Sequence, residues 1–360
     1  MNILISAYAC EPGKGSEPEA GWKWARELSK RDNNIFVITR LNNKKNIENY
    51  ITQSNTKCKI NFIYHDLPKF FIYLKKFFKF TRIYYIIWQF SILEKCNKLN
   101  LKYKFDLVHH ITFCSIRHFS LLSELNLKTF IGPLGGSETS PFWLRRHIGF
   151  KGAISETIRD IFNLITFLDP FFLRAIKKCN KIIFTTKSGI KYCPMKYRQK
   201  IQISTVIGLD KDEFNNKKVS IKNQKKILFV GRHLHWKGMK IGIEAFKKSL
   251  EIDPDLSLTI VGSGSANRYW KKLVNKYKIS KSVEWIPWVN RKEIDEIFSR
   301  NGIFIFPSLH DSGGFAVLEA MKHGLPVICF DLGGPGETVN SASGIIIKTS
   351  CKDYKILIEN

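Results

Sequence analysis

An alternation of short apolar runs with helix-patterned stretches occurs twice along this chain and leaves it few ways to fold. Short β-like apolar runs at 3–8, 35–39, 60–64, 107–109, 129–132 and 182–185 are separated by helix-patterned stretches such as 17–28 and 83–99. After residue 226 the pattern restarts, with strand-like runs at 227–230, 256–261, 283–286, 303–306 and 326–329. Helical runs at 238–250, 266–277, 292–300 and 315–323 lie between them. Such alternation feeds right-handed βαβ units and therefore parallel sheets. The polar stretch 210–226, containing Asn215-Asn216-Lys217-Lys218, breaks the pattern. The expectation is an α/β chain of two Rossmann-like βαβ domains facing a cleft. The first spans 1–210, a linker covers 211–225, and the second spans 226–360. A length of 360 residues lets each domain bury its own core. Residues 353–360 read as the start of a helix that ends early, so the closing helix of the second domain is expected to be short or missing.

Hydrophobic residues make up 44% of the chain, which fits a globular protein. No apolar run reaches the ~18–20 residues of a membrane-spanning helix. Residues 1–8 carry no basic leader and read as a first buried strand rather than a signal peptide. Eight cysteines without a CxxC pair or zinc-like Cys/His spacing point to reduced thiols, a cytoplasmic setting and no metal site. The net charge is +27, with 58 Lys and Arg against 31 Asp and Glu. This reads as a basic solvated surface or as attraction to an anionic bilayer. No nucleic-acid partner is expected, because no zinc finger, RNP-type motif or helix-turn-helix is recognisable. The stretch 69–80, in which lysines alternate with aromatics, is followed by Tyr84, Tyr85 and Trp88. It reads either as a segment lying in a membrane interface or as a core helix with snorkelling lysines. Peripheral attachment to the inner face of the plasma membrane is one expectation that follows.

The chemistry concentrates in His310-Asp311-Ser312-Gly313-Gly314-Phe315-Ala316-Val317-Leu318-Glu319. A strand, a glycine turn and a helix N-terminus form a concave anion site, where amides point outward and the helix dipole adds roughly half a positive charge. Asp311 in the loop and Glu319 one turn into the helix place a carboxylate on each side of that cradle, which suits the hydroxyls of a sugar nucleotide. Gly231-Arg232-His233-Leu234-His235-Trp236-Lys237-Gly238 puts Arg232 and Lys237 at the carboxyl end of the second domain's first strand, where α/β sheets bind ligands. Two cations there fit a diphosphate and its stabilisation on leaving. Gly262 and Gly264 end the next strand and fit a close backbone approach. Trp288, in the 285–289 run, suits a nucleobase or ordinary packing. Glu337, in the glycine-rich turn 332–337, suits the donor or a cap.

In the first domain, the loop 10–17 with Gly15 again leads into a helix N-terminus. It has neither Walker nor GxGxxG spacing. Residues 132–138 form a similar turn. His109 and His110, at a strand end, suit a phosphate or sugar hydroxyl, or a structural role.

Taken together, these residues resemble glycosyltransferase family 4, retaining enzymes of GT-B architecture. The GRxxxxKG-like, GxG and acidic-x7-Glu elements occur in the family's order between 226 and 349, and the resemblance covers nearly the whole chain. The opening 6–19 and the 311–314 segment resemble a bacterial subgroup associated with surface polysaccharide assembly. The resemblance implies that Arg232 and Lys237 contact the donor diphosphate. It implies that Glu319 binds the ribose and Asp311 the transferred sugar, while the backbone at Gly314 and Phe315 meets the β-phosphate. Gly231, Gly262, Gly264, Trp288, Gly313 and Ala316 would complete the donor site, with Gly15 facing it from the first domain. The family usually has Glu where this chain has Asp311, whose side chain is one methylene shorter. Many members also have a His at the end of the strand matching 129–131, where this chain continues Gly132-Pro133; His109 and His110 are candidates for that His's job.

The expected activity is that of a hexosyl- or related glycosyltransferase. It would move a sugar, with retention, from a nucleotide-diphosphate donor (UDP- or GDP-linked) to a polysaccharide or lipid-linked saccharide acceptor. No cofactor or metal is expected. The competing readings are a sugar-nucleotide epimerase or phosphorylase on the same architecture, and a non-catalytic basic protein at a membrane.

Overall fold

The central strands of both halves are short runs of apolar, often β-branched residues whose side chains are buried on both faces, the pattern that parallel sheets covered by helices require. The computed structural model describes residues 1–54, 59–78, 80–209 and 224–359. Two compact units emerge, one from 1–137 with 162–206 and one from 138–161 with 207–360. Of the linker expected at 211–225, residues 211–223 lie outside the described residues.

The first unit holds β1 (Asn2–Ala7), β2 (Asn34–Thr39), β3 (Ile60–Tyr64), β4 (Leu107–Thr112), β5 (Thr129–Leu134), β6 (Lys181–Phe184) and β7 (Ile201–Ile203). They form one parallel sheet in the order β3-β2-β1-β4-β5-β6-β7. Leu4 and Val108 face a cluster that contains Tyr85, Trp88 and Ile92 of the helix Thr81–Tyr103. Ile5 and Val37, on the opposite face, meet Trp22 and Ala25 of the helix Ser16–Ser29. Alternate residues of each strand thus feed alternate helical layers.

The second unit holds β8 (Lys226–Val230), β9 (Ser257–Val261), β10 (Val283–Ile286), β11 (Ile303–Phe306), β12 (Val327–Phe330) and β13 (Gly344–Ile347), parallel and in the order β10-β9-β8-β11-β12-β13. The helix Met239–Ile252 buries Met239, Ile243 and Phe246 against Leu228, Phe229 and Phe306. Residues 138–161, read from the sequence as part of the first domain, cluster with this unit instead. Leu144 and Ile148 pack against Ile241, Leu309 and Phe330, and Leu357 of the final helix Tyr354–Glu359 joins them. The strand order reverses between β1 and β4 in one sheet and between β8 and β11 in the other. These are the switch points where open α/β sheets present ligand crevices at their carboxyl ends.

Candidate functional site

The second switch point brings together the loops that follow β8 and β11, strands paired through Ile227–Ile303 and Leu228–Phe304. After β8 the chain runs through Gly231 into a single helical turn, His235–Lys237, and Gly238 takes a left-handed conformation to start the helix Met239–Ile252. That turn buries Lys237. Its ammonium lies 4.6 Å from the Trp236 ring centroid and 4.7 Å from that of Phe306. It donates to Oδ2 of Asp311, which also accepts from the Ser308 hydroxyl at 3.2 Å. The two charged residues predicted 74 positions apart are therefore joined in one ion pair.

From Asp311 the chain turns through Gly313 and Gly314 into the helix Phe315–Lys322. Gly314 has φ 71°, and a Cβ there would lie 3.0 Å from the Pro335 ring, so both conformation and space favour glycine. Its carbonyl accepts from Val317 N–H at 2.8 Å. The first-turn amides of Phe315 and Ala316 have no intrahelical acceptor and, with the helix dipole, favour an anion. Glu319 lies one turn further on, half-buried. Behind Asp311, Gly334 N–H donates to its carbonyl at 2.7 Å. The 332–337 segment, read from the sequence as a turn, forms the short helix Gly333–Thr338, and Glu337 lies within it.

Gly262 and Gly264 do their work through space. A Cβ on Gly262 would overlap the Gly231 carbonyl, and one on Gly264 the His233 backbone, while His233 N–H donates to the Ser263 carbonyl at 2.8 Å. The GxG after β9 thus lets that loop lie flat against Gly231–His233. Arg232 is exposed, and Trp288 is 77% exposed beyond β10.

In the first unit, β4 continues past 109 to Thr112, so His109 and His110 are strand residues rather than loop residues. His109 Nε2 lies 2.9 Å from the Gly132 carbonyl, and the ring meets Trp24 edge-on at 5.2 Å. His110 bonds to the Ser6 hydroxyl at 3.1 Å and to the Tyr85 hydroxyl at 2.9 Å. Burial pushes His109 down to about 4 and His110 down to about 3, so both rings are neutral at pH 7. Gly15, with φ 65°, precedes the helix Ser16–Ser29 with open space where a Cβ would be. Two residues on, Glu17 accepts the Phe113 N–H at the β1/β4 switch point, and burial raises its carboxyl.

Sequence reasoning missed the support behind Asp311. His310 is buried, stacked on Trp236 with centroids 4.3 Å apart, and its Nε2 meets Glu156 Oε1 at 2.9 Å. Glu156 is itself buried, and its other oxygen accepts from the Ser140 hydroxyl at 2.8 Å. Burial works to raise the Glu156 carboxyl, but the bond and charge of His310, the Ser140 hydroxyl and Arg159 outweigh it and hold it below its ordinary value. Ser312 donates to Glu138 at 2.9 Å. Segment 138–161 therefore grips the loop on both sides of Asp311. No local signal marks a glutamate 154 positions upstream as a partner of His310. Glu156→Gln is expected to lower about tenfold any turnover that depends on the Asp311 loop, since misplacing a reacting geometry by ~1 Å costs rates of this order or more. Steady-state kinetics alongside a thermal melt checks it: the rate should fall while the protein still melts cooperatively.

Among the described residues no group of three His, Cys, Asp or Glu side chains is placed to hold a metal ion, and no helix is long and apolar enough to cross a membrane.

Residues 210–358 match the family described as Glycosyl transferases group 1. An uncharacterized glycosyltransferase of Methanocaldococcus jannaschii is 30% identical over 145 residues, which are 40% of this chain and 34% of that protein. The matched stretch is thus about a third of that relative's length. Among solved structures, the sucrose-phosphate synthase of Thermosynechococcus elongatus superposes with a TM-score of 0.62 at 17% identity, covering 99% of this chain and 88% of that one. HepE of Anabaena, determined with UDP and glucose, gives a TM-score of 0.57 at 13% identity over 99% and 87% of the two chains. The α/β fold with two parallel sheets is that of these GT-B proteins, and the match to the glycosyltransferase group 1 family is confined to the carboxyl-terminal segment.

Proposed function

We propose that this chain is a glycosyltransferase of family 4 that uses a nucleotide-diphosphate sugar and transfers with retention to a saccharide or lipid-linked saccharide acceptor in surface-polysaccharide assembly. One observation carries the reading: the Lys237–Asp311 pair stands at the β8/β11 switch point, directly ahead of the Gly314 turn and the helix Phe315–Lys322. Cation, open amides and carboxylate occur in the order that a diphosphate and its attached sugar require. Lys237, Arg232 and the first-turn amides of Phe315 and Ala316 stabilise charge on the departing diphosphate. Asp311 holds sugar hydroxyls, and Glu319 the ribose. The acceptor attacks on the face from which the diphosphate leaves, and the leaving phosphate helps to take its proton. HepE, which shares the fold, was determined with UDP and glucose, which supports a donor of that class.

Attachment to an anionic membrane belongs to the same reading. The helix Lys69–Phe78 buries none of its residues, and Phe70, Tyr73 and Phe77, one helical stripe, are 65%, 63% and 66% exposed. No Asp or Glu occurs from 67 to 93, where five Lys and Arg do. An interfacial helix has this composition.

The test is a panel of labelled sugar nucleotides with and without saccharide acceptors, read as released nucleoside diphosphate and as the anomer of the product. Transfer with retained configuration is expected. Interconversion of the donor sugar without an acceptor would establish an epimerase instead, and dependence on free phosphate a phosphorylase.

A further inference from the structure

The other sheet carries a second concentration of positive charge that the donor site does not use. Tyr8 follows β1, Arg40 follows β2, and Asp66 lies two residues past β3, so the three stand at the carboxyl ends of adjacent strands. Lys75 reaches them from the helix Lys69–Phe78, and Tyr84 from the helix Thr81–Tyr103. Lys75 Nζ donates to the Tyr8 hydroxyl at 3.2 Å and lies 4.7 Å from the Tyr84 ring centroid. The Arg40 guanidinium lies 5.0 Å from the Tyr8 ring centroid and 5.7 Å from that of Tyr84.

The charges in this group do not balance. Asp66 is its carboxylate, and its Oδ1 already accepts from Arg40 Nε at 3.2 Å and from the Tyr84 hydroxyl at 2.6 Å. Lys75 has a neutral phenol and two ring faces for company. Burial and the neighbouring Arg40 push its ammonium down to about 8. Asp66 acts on Lys75 through space but is bonded to Arg40 and Tyr84, so one carboxylate serves two cations; an incoming anion with several acceptor oxygens offsets the cost of the half-buried ammonium while bridging to Arg40. Arg40 and Lys75 both stay part-exposed, so they remain open to such an anion.

We propose that Arg40, Lys75 and the Tyr8 hydroxyl form a binding site for a phosphate ester. Its role as the place where the acceptor's phosphate is held rests on the glycosyltransferase reading; the binding itself does not. Lys75 and the exposed stripe of Phe70, Tyr73 and Phe77 lie on opposite sides of one helix, since residues 70, 73 and 77 share a face from which position 75 is turned by about 140–200°. A bilayer met by the aromatic stripe would place its phosphates within a helix diameter, roughly 10 Å, of Lys75. A lipid-attached phosphate suits this better than a free one.

The experiment reads Lys75 directly in the wild-type chain. The protein is acetylated with N-hydroxysuccinimidyl acetate at pH 8, and the rate at each lysine is followed by peptide mass spectrometry. Lys98, exposed and paired with Glu94 at 2.7 Å, serves as the reference lysine. Octyl phosphate, below its micelle concentration, should slow Lys75 about tenfold when present at ~10 times its Kd, leaving Lys98 unchanged. Protection should weaken above pH 8, as Lys75 loses its proton. Octyl phosphate protecting at lower concentration than inorganic phosphate identifies a lipid-attached source; equal protection identifies a soluble phosphate. Arg40→Met, with a thermal melt to verify folding, should remove the protection. Lys75 reacting at one rate with and without either phosphate would overturn the site. A chain that turns over nucleotide sugars yet shows no protection loses this site alone. One that is protected but handles no nucleotide sugar keeps the site and loses the transferase reading.

Discussion

Lys237→Ala is expected to lower sugar transfer by about 10²–10³-fold, the effect of removing one preorganised charge from a site where negative charge develops. The loss should appear in kcat as well as in kcat/KM, because the ammonium matters most when the diphosphate departs. Two consequences compound each other. On the proposed function the donor loses its buried cation, and Asp311 loses its ion-pair partner and keeps the Ser308 hydroxyl. Trp236 loses the ammonium on one face but keeps its stack on His310, and Gly238 still starts the helix at Met239, so the variant should fold. Stopped assays with the preferred donor, beside circular dichroism of the same preparation, check this. A folded variant with near wild-type turnover contradicts the site.

Gly238→Ala should be among the most destabilising single changes in the chain, by about 3 kcal/mol or more. Gly238 has φ 72°, and a Cβ there would overlap the Pro307 carbonyl. Both the left-handed backbone and the absence of a side chain are therefore required. Pro307 belongs to the loop that leads to Asp311, so relief of the overlap would separate the two loops at the switch point. Urea or thermal unfolding measures it. The expected result is a clearly lower midpoint, with activity lost before global unfolding. An unfolding free energy within a few tenths of a kcal/mol of wild type would show that the loops are not packed as described.

The alternation of apolar runs and helical patterns is readable because central parallel strands are buried on both faces, so β1, β2, β8, β9, β11 and β12 stand out as largely apolar stretches. Edge strands carry a weaker signal: Ile201–Ile203 interrupts its isoleucines with an exposed glutamine, and Gly344–Ile347 begins with a glycine. Three glycines and a proline made 333–336 read as a turn, yet Leu332 and the Asp311 carbonyl organise it into a helix. The sequence places a strand end at His109 and His110 because histidine is polar, whereas Ser6, Tyr85 and the Gly132 carbonyl satisfy both rings inside the unit and β4 runs on to Thr112.

Asp311, Lys237 and the Gly314 turn were legible because each is a local chemical motif at a strand end. That Lys237 meets Asp311 follows from the strand order, which only the folded sheet displays. Membership of 138–161 in the second unit was not legible. It depends on Leu144 and Ile148 meeting Ile241 and Leu309, and on Glu156 meeting His310, contacts between segments without any shared periodicity.

Isothermal titration of UDP, GDP and ADP into the wild-type chain and into Lys237→Ala asks whether the β8/β11 switch point holds a nucleoside diphosphate. One of the three should bind the wild type with a single-site isotherm, and the variant, still folded, should bind it about 100-fold more weakly or not at all. Failure of the wild type to bind any of the three, or equal affinity in the folded variant, would contradict the proposed site.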